Sequence, residues 1–280
     1  MRGGLGRGSR NGNGRRSPGI HTAVSVLEAP VAQAPLTLSD MASSLGVPKS
    51  SLSRVCAVLI DRGWVVRNRE GRFDLGTRAF GLSARASEFP LVRAFRAIAA
   101  ELLTAHNETT CLAVLDMEDS MFIDLEETSH PVRLVTQVGS RTPAFASASG
   151  RVILADRAPQ VVAAQYAGRT LVTPTGRRLR GVAELLEILE RVRRDGYAEN
   201  TGETADGLYT VSVPIRNAAN AVLAALTMCI PTSRMTPARR ERLVKEMVEA
   251  GHRLSAAVPW LAAWNGTRAE TRELVTAADR

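Results

Sequence analysis

The sequence predicts a two-domain α+β chain, with a small N-terminal winged helix-turn-helix followed by a larger domain of helices packed on an antiparallel sheet. Three observations lead there. Two short amphipathic patterns separated by Gly46-Val47-Pro48 run directly into a basic hairpin pattern. Beyond residue 90 the texture changes to paired strand-like runs flanked by long helical ones. The net charge of +8 is confined to the N-terminal 86 of 280 residues.

Taken in order, the opening MRGGLGRGSRNGNGRRSPG has almost nothing to bury and is expected to stay disordered. Ile20, Ala23, Val24 and Leu27 then recur at helical spacing, and Pro30 is expected to stop that helix before a loop VAQAP. Thr37 is placed to cap a short helix whose inward face is Leu38, Met41, Ala42 and Leu45, with Gly46 just past its end. The next helix, about Lys49 to Arg62, turns Leu52, Val55, Cys56, Leu59 and Ile60 inward. Lys49, Ser50, Ser51, Ser53 and Arg54 are left on its outer, N-terminal face. Residues 64–67 and 72–75 read as two strands around Asn68-Arg69-Glu70-Gly71, a wing carrying Arg67, Arg69 and Arg72. In a helix-turn-helix the second helix lies in the major groove with its N-terminal side chains on base edges, and a basic wing suits phosphate or the minor groove.

A small-residue helical segment, Arg78 to about Ser87, leads to Pro90 and a helix from Leu91 to His106. Strands are expected at 110–116 and 121–125, and again at 208–215 and 221–230, with helices at 182–194 and about 237–257. The crowded carboxylates Asp116, Glu118, Asp119, Asp124, Glu126 and Glu127 read as a solvated acidic face. Cys56, Cys111 and Cys229 are too far apart for a disulfide framework or a paired zinc site, and are expected to be reduced and buried.

Charge sharpens the division. The first 18 residues carry five arginines and no acid, residues 19–86 carry eight basic and five acidic side chains, and the other 194 carry 23 of each. A polyanion-binding head on an electroneutral body has that distribution, because phosphate contacts need Lys and Arg while a small-molecule domain does not. No apolar run approaches the roughly 20 residues of a membrane span, and the N-terminus lacks the apolar stretch of a signal peptide, so a cytoplasmic protein is expected. There is no phosphate-binding loop, nucleophile elbow or metalloprotease helix motif, and no catalytic residue, metal or cofactor is expected.

Over about Ile20 to Pro259 the chain resembles the isocitrate lyase regulator (IclR) family of bacterial transcription factors. The resemblance is carried by LGVPKSSLSRVCAVLIDRGWVVRNREGRFDLG in the first domain, and by GSRTPAFASASGRVILA, RVRRDGYAENTGE and DGLYTVSVPIRNAANAVLAALTMCIP in the second. It implies that Lys49, Ser50, Ser51, Ser53 and Arg54 face DNA, and that the larger domain is a GAF-like effector-binding fold. The implied organisation is a basic tail (1–18), a winged helix-turn-helix (19–77), a linker helix (78–90), the effector domain (91–262) and a C-terminal tail (263–280).

By the same resemblance the loop 146–150 opens its amides onto the ligand cleft, which would place Ala148, Ser149 and Gly150 there. Asn200, Thr210, Thr227 and Cys229 fall on positions that line the cleft in some members. The family pattern often has Asp, Cys and two Ser at such places, so strong donors are fewer here. Phe145, Tyr209 and Met228 add apolar or aromatic surface, which implies an effector with an apolar or aromatic body and one acid group. The expected partners are therefore a double-stranded DNA operator, a small organic effector and further copies of the chain in a homodimer or homotetramer, with no membrane. A repressor is the reading that family habit favours. Two other classes remain open: an enzyme acting on the small molecule, and an architectural DNA binder whose larger domain only oligomerises.

Overall fold

The computed structural model describes residues 18–32 and 36–261. The tails expected at 1–18 and 263–280 fall outside these residues, apart from Pro18. The chain separates into two compact units, one ending at Ala86 and the other beginning at Ser87. No helix among the described residues is long and apolar enough to cross a membrane.

The first unit begins with α1 (Pro18–Ala32), which continues through Pro30 instead of stopping there. Its inward face is rotated only in part from the expected one: Ala23 and Leu27 are half-buried against the core and Thr22 and Val26 are buried, whereas Ile20 is 69% and Val24 43% exposed. Apolar spacing alone allowed either phase, and the buried side is the one that meets α2 (Leu38–Leu45) and α3 (Lys49–Asp61). Thr37 and Asp40 cap α2 reciprocally, each side chain receiving the other's backbone N–H, and Gly46 (φ 62°) turns the chain into α3.

Leu52, Cys56 and Leu59 of α3 join Met41, Ala42 and Val26 in a core closed by Val65 and Phe73. The hairpin of β2 (Val65–Arg67) and β3 (Arg72–Leu75) has the expected place, and a two-residue strand that the sequence did not signal, β1 (Leu36–Thr37), adds to its other edge. α4 (Thr77–Ser87) follows and buries none of its side chains.

The second unit is a six-stranded antiparallel sheet in the order β6-β5-β4-β9-β8-β7. Its strands are β4 (Thr109–Asp116), β5 (Asp119–Glu126), β6 (Arg141–Pro143), β7 (Ala198–Thr201), β8 (Leu208–Arg216) and β9 (Val222–Pro231). α5 (Pro90–His106) and α9 (Pro237–Ala257) cover one face; α6 (Ala148–Ala155) lies on the other, with α8 (Val182–Asp195) packed on α6 and α7 (Pro159–Tyr166) on α8.

Period-two alternation divides the side chains of the central strands. Tyr209, Val211, Val213 and Ile215 of β8, with Ala224, Leu226, Met228 and Ile230 of β9, join the core under α5 and α9. The alternate residues point toward α6. Ala113 and Ala225 there belong to the second apolar core, but Thr210, Ser212, Thr227 and Cys229 are buried as well. The expected solvated acidic face is present only in part: Glu127 is exposed, but Asp124 is buried on Arg96 at 2.8 Å, and the partly exposed Asp116 and Glu118 pair with Arg141 and Arg169. Carboxylates that close together find guanidinium partners on neighbouring segments, which the local sequence does not show.

Among the described residues Tyr166 Oη is the buried side-chain polar atom without a hydrogen-bond partner. Burial pushes the Tyr166 phenol up to about 12, and its ring packs edge-on against Phe145 with centroids 5.9 Å apart. Since the hydroxyl is desolvated without compensation, Tyr166→Phe is expected to stabilise the protein by about 1 kcal/mol. The readout is a higher urea midpoint at unchanged slope; a lower midpoint contradicts the assignment.

Candidate nucleic-acid interface and ligand cavity

In the first unit the surface left over by core packing is the candidate interface. Because Leu52, Cys56 and Leu59 take the inward side of α3, Lys49, Ser50, Ser51, Ser53 and Arg54 are all exposed. Of the inward residues expected, Val55 is half-buried and Ile60 is 39% exposed, since it lies past the arc that meets α1 and α2.

The wing presents its three arginines unequally. Asn68 Oδ1 accepts from the backbone N–H groups of Glu70 (3.0 Å) and Arg72 (2.9 Å), which fixes the tip and holds Arg69 outward. Arg67 lies over the Phe73 ring, 5.5 Å from its centroid, and Arg72 sits 3.5 Å from the Glu70 carboxylate. Arg69 makes no ion pair or side-chain hydrogen bond among the described residues.

The second unit holds a cavity of about 100 Å³ between the hydroxyl-bearing face of the sheet and the start of α6. Five residues expected at the ligand cleft line it: Ala148, Ser149, Thr210, Thr227 and Cys229. Ser147 caps α6 by accepting from the Gly150 N–H at 3.1 Å, while the Ala148 and Ser149 N–H groups begin the helix beside the cavity. Two hydroxyl pairs stand among or beside the lining residues, Ser120 with Ser149 at 2.7 Å and Ser212 with Thr227. The lining carries hydroxyls, the Cys229 thiol and the apolar Phe122, Leu134 and Leu208, with no charged side chain.

Five expected residues lie off this cavity. Tyr209 points to the opposite face of the sheet, one strand position from Thr210, and donates to Glu199 at 2.5 Å; Met228 is buried in that core too. Phe145 packs in the core around α6 and α8. Gly150 is a close-approach residue, where a Cβ would stand 2.3 Å from Ala144 Cα. Asn200 spends its amide on the backbone, donating to the Ala146 carbonyl and accepting from the Glu203 N–H at 3.1 Å.

The sequence reading missed lining residues from β5 and from the segment after it, among them Ser120, Phe122, Leu134 and Thr136. Ser120 and Phe122 share one face of β5 by period two, which is the signal that could have found them. The segment 127–140 is irregular and offers no comparable pattern.

All three cysteines are buried and none is in a disulfide. A hydrogen bond with Cys229 and burial together push the Cys111 thiol well above its ordinary value. Among the described residues no group of three or more His, Cys, Asp or Glu is placed to hold a metal ion.

Comparison with known proteins gives matches to both units. The model of the bacterial transcriptional regulator IclR C-terminal domain matches residues 84–256, and that of the MarR family matches residues 20–72. The chain is 27% identical over 233 residues to the HTH-type transcriptional regulator KdgR of Escherichia coli K12, covering 82% of this chain and 89% of that one. Among solved structures it is similar to an IclR transcriptional regulator from Alicyclobacillus acidocaldarius, with a TM-score of 0.77 and 26% identity over 87% of this chain and 99% of that one. An IclR homolog from Microbacterium hydrocarbonoxydans, crystallised with 4-hydroxybenzoate, shares the fold at a TM-score of 0.73 and 24% identity over 86% and 98%.

The raised Cys111 pKa keeps that sulfur a neutral thiol at physiological pH, and the thiolate is the nucleophile. Iodoacetamide at pH 7.5 is therefore expected to leave Cys111 unmodified in the native protein and to modify it once urea unfolds the chain, as read by peptide mass spectrometry. Ready native modification at that residue would contradict the burial described.

Proposed function

Since the chain belongs to the IclR family of bacterial transcriptional regulators, we propose that it is a cytoplasmic repressor that binds a pseudo-palindromic operator as a dimer or tetramer. A small organic effector held in the second unit changes its operator affinity. The observation that carries this reading is the exposed face Lys49–Arg54 of α3, in a unit whose net positive charge is not balanced locally. Ser50 and Ser51 read base edges, Lys49, Ser53 and Arg54 hold the helix in the groove, and the wing arginines meet phosphate or the minor groove.

The effector site is the cavity beneath α6. A carboxylate on the effector suits the Ala148 and Ser149 amides, since helix N-termini favour anions, and Ser120, Thr210 and Thr227 offer hydrogen bonds to a short polar body. Phe122 is the lining's aromatic surface, so a compact aromatic acid is the second form that the lining favours. The hydroxyls have no acid-base partner in the lining, which supports sensing of the ligand over its turnover.

Operator affinity is best measured by fluorescence anisotropy on the intergenic duplex beside the protein's own gene, across 50 to 200 mM salt. Arg69→Ala is expected to reduce the slope of log K against log salt by about one. Arg67→Ala and Arg72→Ala should change it less, because Phe73 and Glu70 already engage those side chains. Ser51→Ala should relax sequence preference with little change in non-specific affinity. Equal slopes for all three wing variants, together with an unaltered preference, would contradict the interface proposed.

A further inference from the structure

The cavity is smaller than the roughly 300 to 1,000 Å³ usual for ligand sites, so how its wall is held decides what can enter. One wall is the first turn of α6, with Ala148 and Ser149; another is the turn between β7 and β8, with Thr204 and Ala205. A buried ion pair joins the two walls without touching the cavity. Arg151, one turn along α6, donates Nη2 to Glu203 Oε2 at 2.5 Å and Nη1 to Oε1 at 3.3 Å, and Nε to the Phe145 carbonyl at 2.9 Å. Arg151 is 3% and Glu203 8% exposed, and Arg177 closes the group by donating to Glu203 Oε1 at 2.5 Å.

The segment that Glu203 anchors is bounded by Gly202 (φ 69°) and Gly207 (φ 70°). A Cβ at Gly202 would meet nothing within 4 Å, and at Gly207 only Thr232 Oγ1 at 4.0 Å, so these glycines serve the left-handed backbone and not a lack of room. Between them Ala205 packs on Cys111, Leu208 and Cys229 at the cavity. Other bonds to this segment lie at its two ends: the Thr175 hydroxyl donates to the Gly202 carbonyl at 2.7 Å and to that of Glu203 at 3.1 Å, the Glu203 N–H donates to Asn200 Oδ1 at 3.1 Å, and the Leu208 N–H donates to the Ala205 carbonyl at 3.2 Å.

We propose that residues 203–206 form a glycine-hinged flap over the effector cavity, and that the buried Arg151–Glu203 pair, closed on its outer side by the exposed Arg177, is its latch. Arg151 and Glu203 are then positioning residues: they set the distance between α6 and the flap, and a guest larger than the closed cavity enters when the flap lifts. A well-packed apolar pair would serve stability at least as well as a buried ion pair. A charged pair at the joint of two cavity walls instead holds them in one geometry and releases them together. The proposal takes from the preceding section only that the effector uses this cavity.

Cys229 lines the cavity and is 2% exposed with the flap down, so its alkylation reads the flap without DNA or effector. The experiment is iodoacetamide labelling of the full-length protein with site-resolved mass spectrometry, while amide exchange across Val213–Leu226 monitors opening of the whole sheet. Glu203→Gln strands the buried Arg151 charge and is expected to raise the Cys229 rate at least about tenfold, with Val213–Leu226 still protected. Arg177→Ala leaves the inner pair intact and is expected to raise it about twofold; it decides the matter if Glu203→Gln does not fold. An unchanged Cys229 rate, or one that rises only as Val213–Leu226 loses protection, overturns the latch and leaves the DNA-binding reading untouched.

Discussion

The sheet of the second unit is covered by helices on both faces, and what that unit can do follows from how β8 and β9 divide their side chains between the two. Strand geometry sends alternate residues to opposite sides, so Val211, Val213, Leu226 and Met228 must share one face and Thr210, Ser212, Thr227 and Cys229 the other. A buried hydroxyl is costly unless it is hydrogen-bonded. Ser212 and Thr227 meet that requirement with each other, Ser120 and Ser149 do the same across the cavity, and the Thr210 side chain and the open amides of α6 are left facing the space between. The cavity is thus a polar island inside a two-sided core, bounded by α6 and by a turn tied to that helix through a buried ion pair.

The first unit shows the same logic on a smaller scale. α3 has a single apolar stripe, and once Leu52, Cys56 and Leu59 fill the core, its Lys, Ser and Arg residues have only solvent or a partner to meet. The wing is ordered by its own turn, with Asn68 bonding two backbone N–H groups, so Arg69 is presented without help from a ligand. Preorganisation of this kind lowers the ordering cost of binding.

Most of the first unit was legible because its signals are local: capping residues, glycine turns and short amphipathic stripes each act within a few residues. The exception was the phase of α1, where Ile20 and Val24 match the spacing as well as Thr22 and Val26 but face outward, a choice that only the partner helices make. In the second unit the long strands and helices could be read, but β6, β7 and α7 could not, being short and, for Ala198–Thr201, poor in strand-forming residues. The cavity was half legible. Thr210, Thr227, Cys229, Ala148 and Ser149 line it, while Tyr209 was excluded by its own parity with Thr210. Asn200 and Gly150 proved to hold the cavity's frame instead of its guest, Asn200 through the Ala146 carbonyl 54 positions away and Gly150 through the close approach of the Ala144 backbone. The Arg151–Glu203 pair, 52 positions apart, had no local signature at all.

The outer face of α3 and the tip of the wing are the surfaces proposed to meet operator DNA. Hydrogen exchange on the full-length protein with and without its promoter duplex addresses that claim directly. Protection gained over Lys49–Arg54 and Arg67–Arg72, and lost again at high salt, is the predicted result. Protection that falls elsewhere in the chain and leaves those two segments unchanged would contradict it.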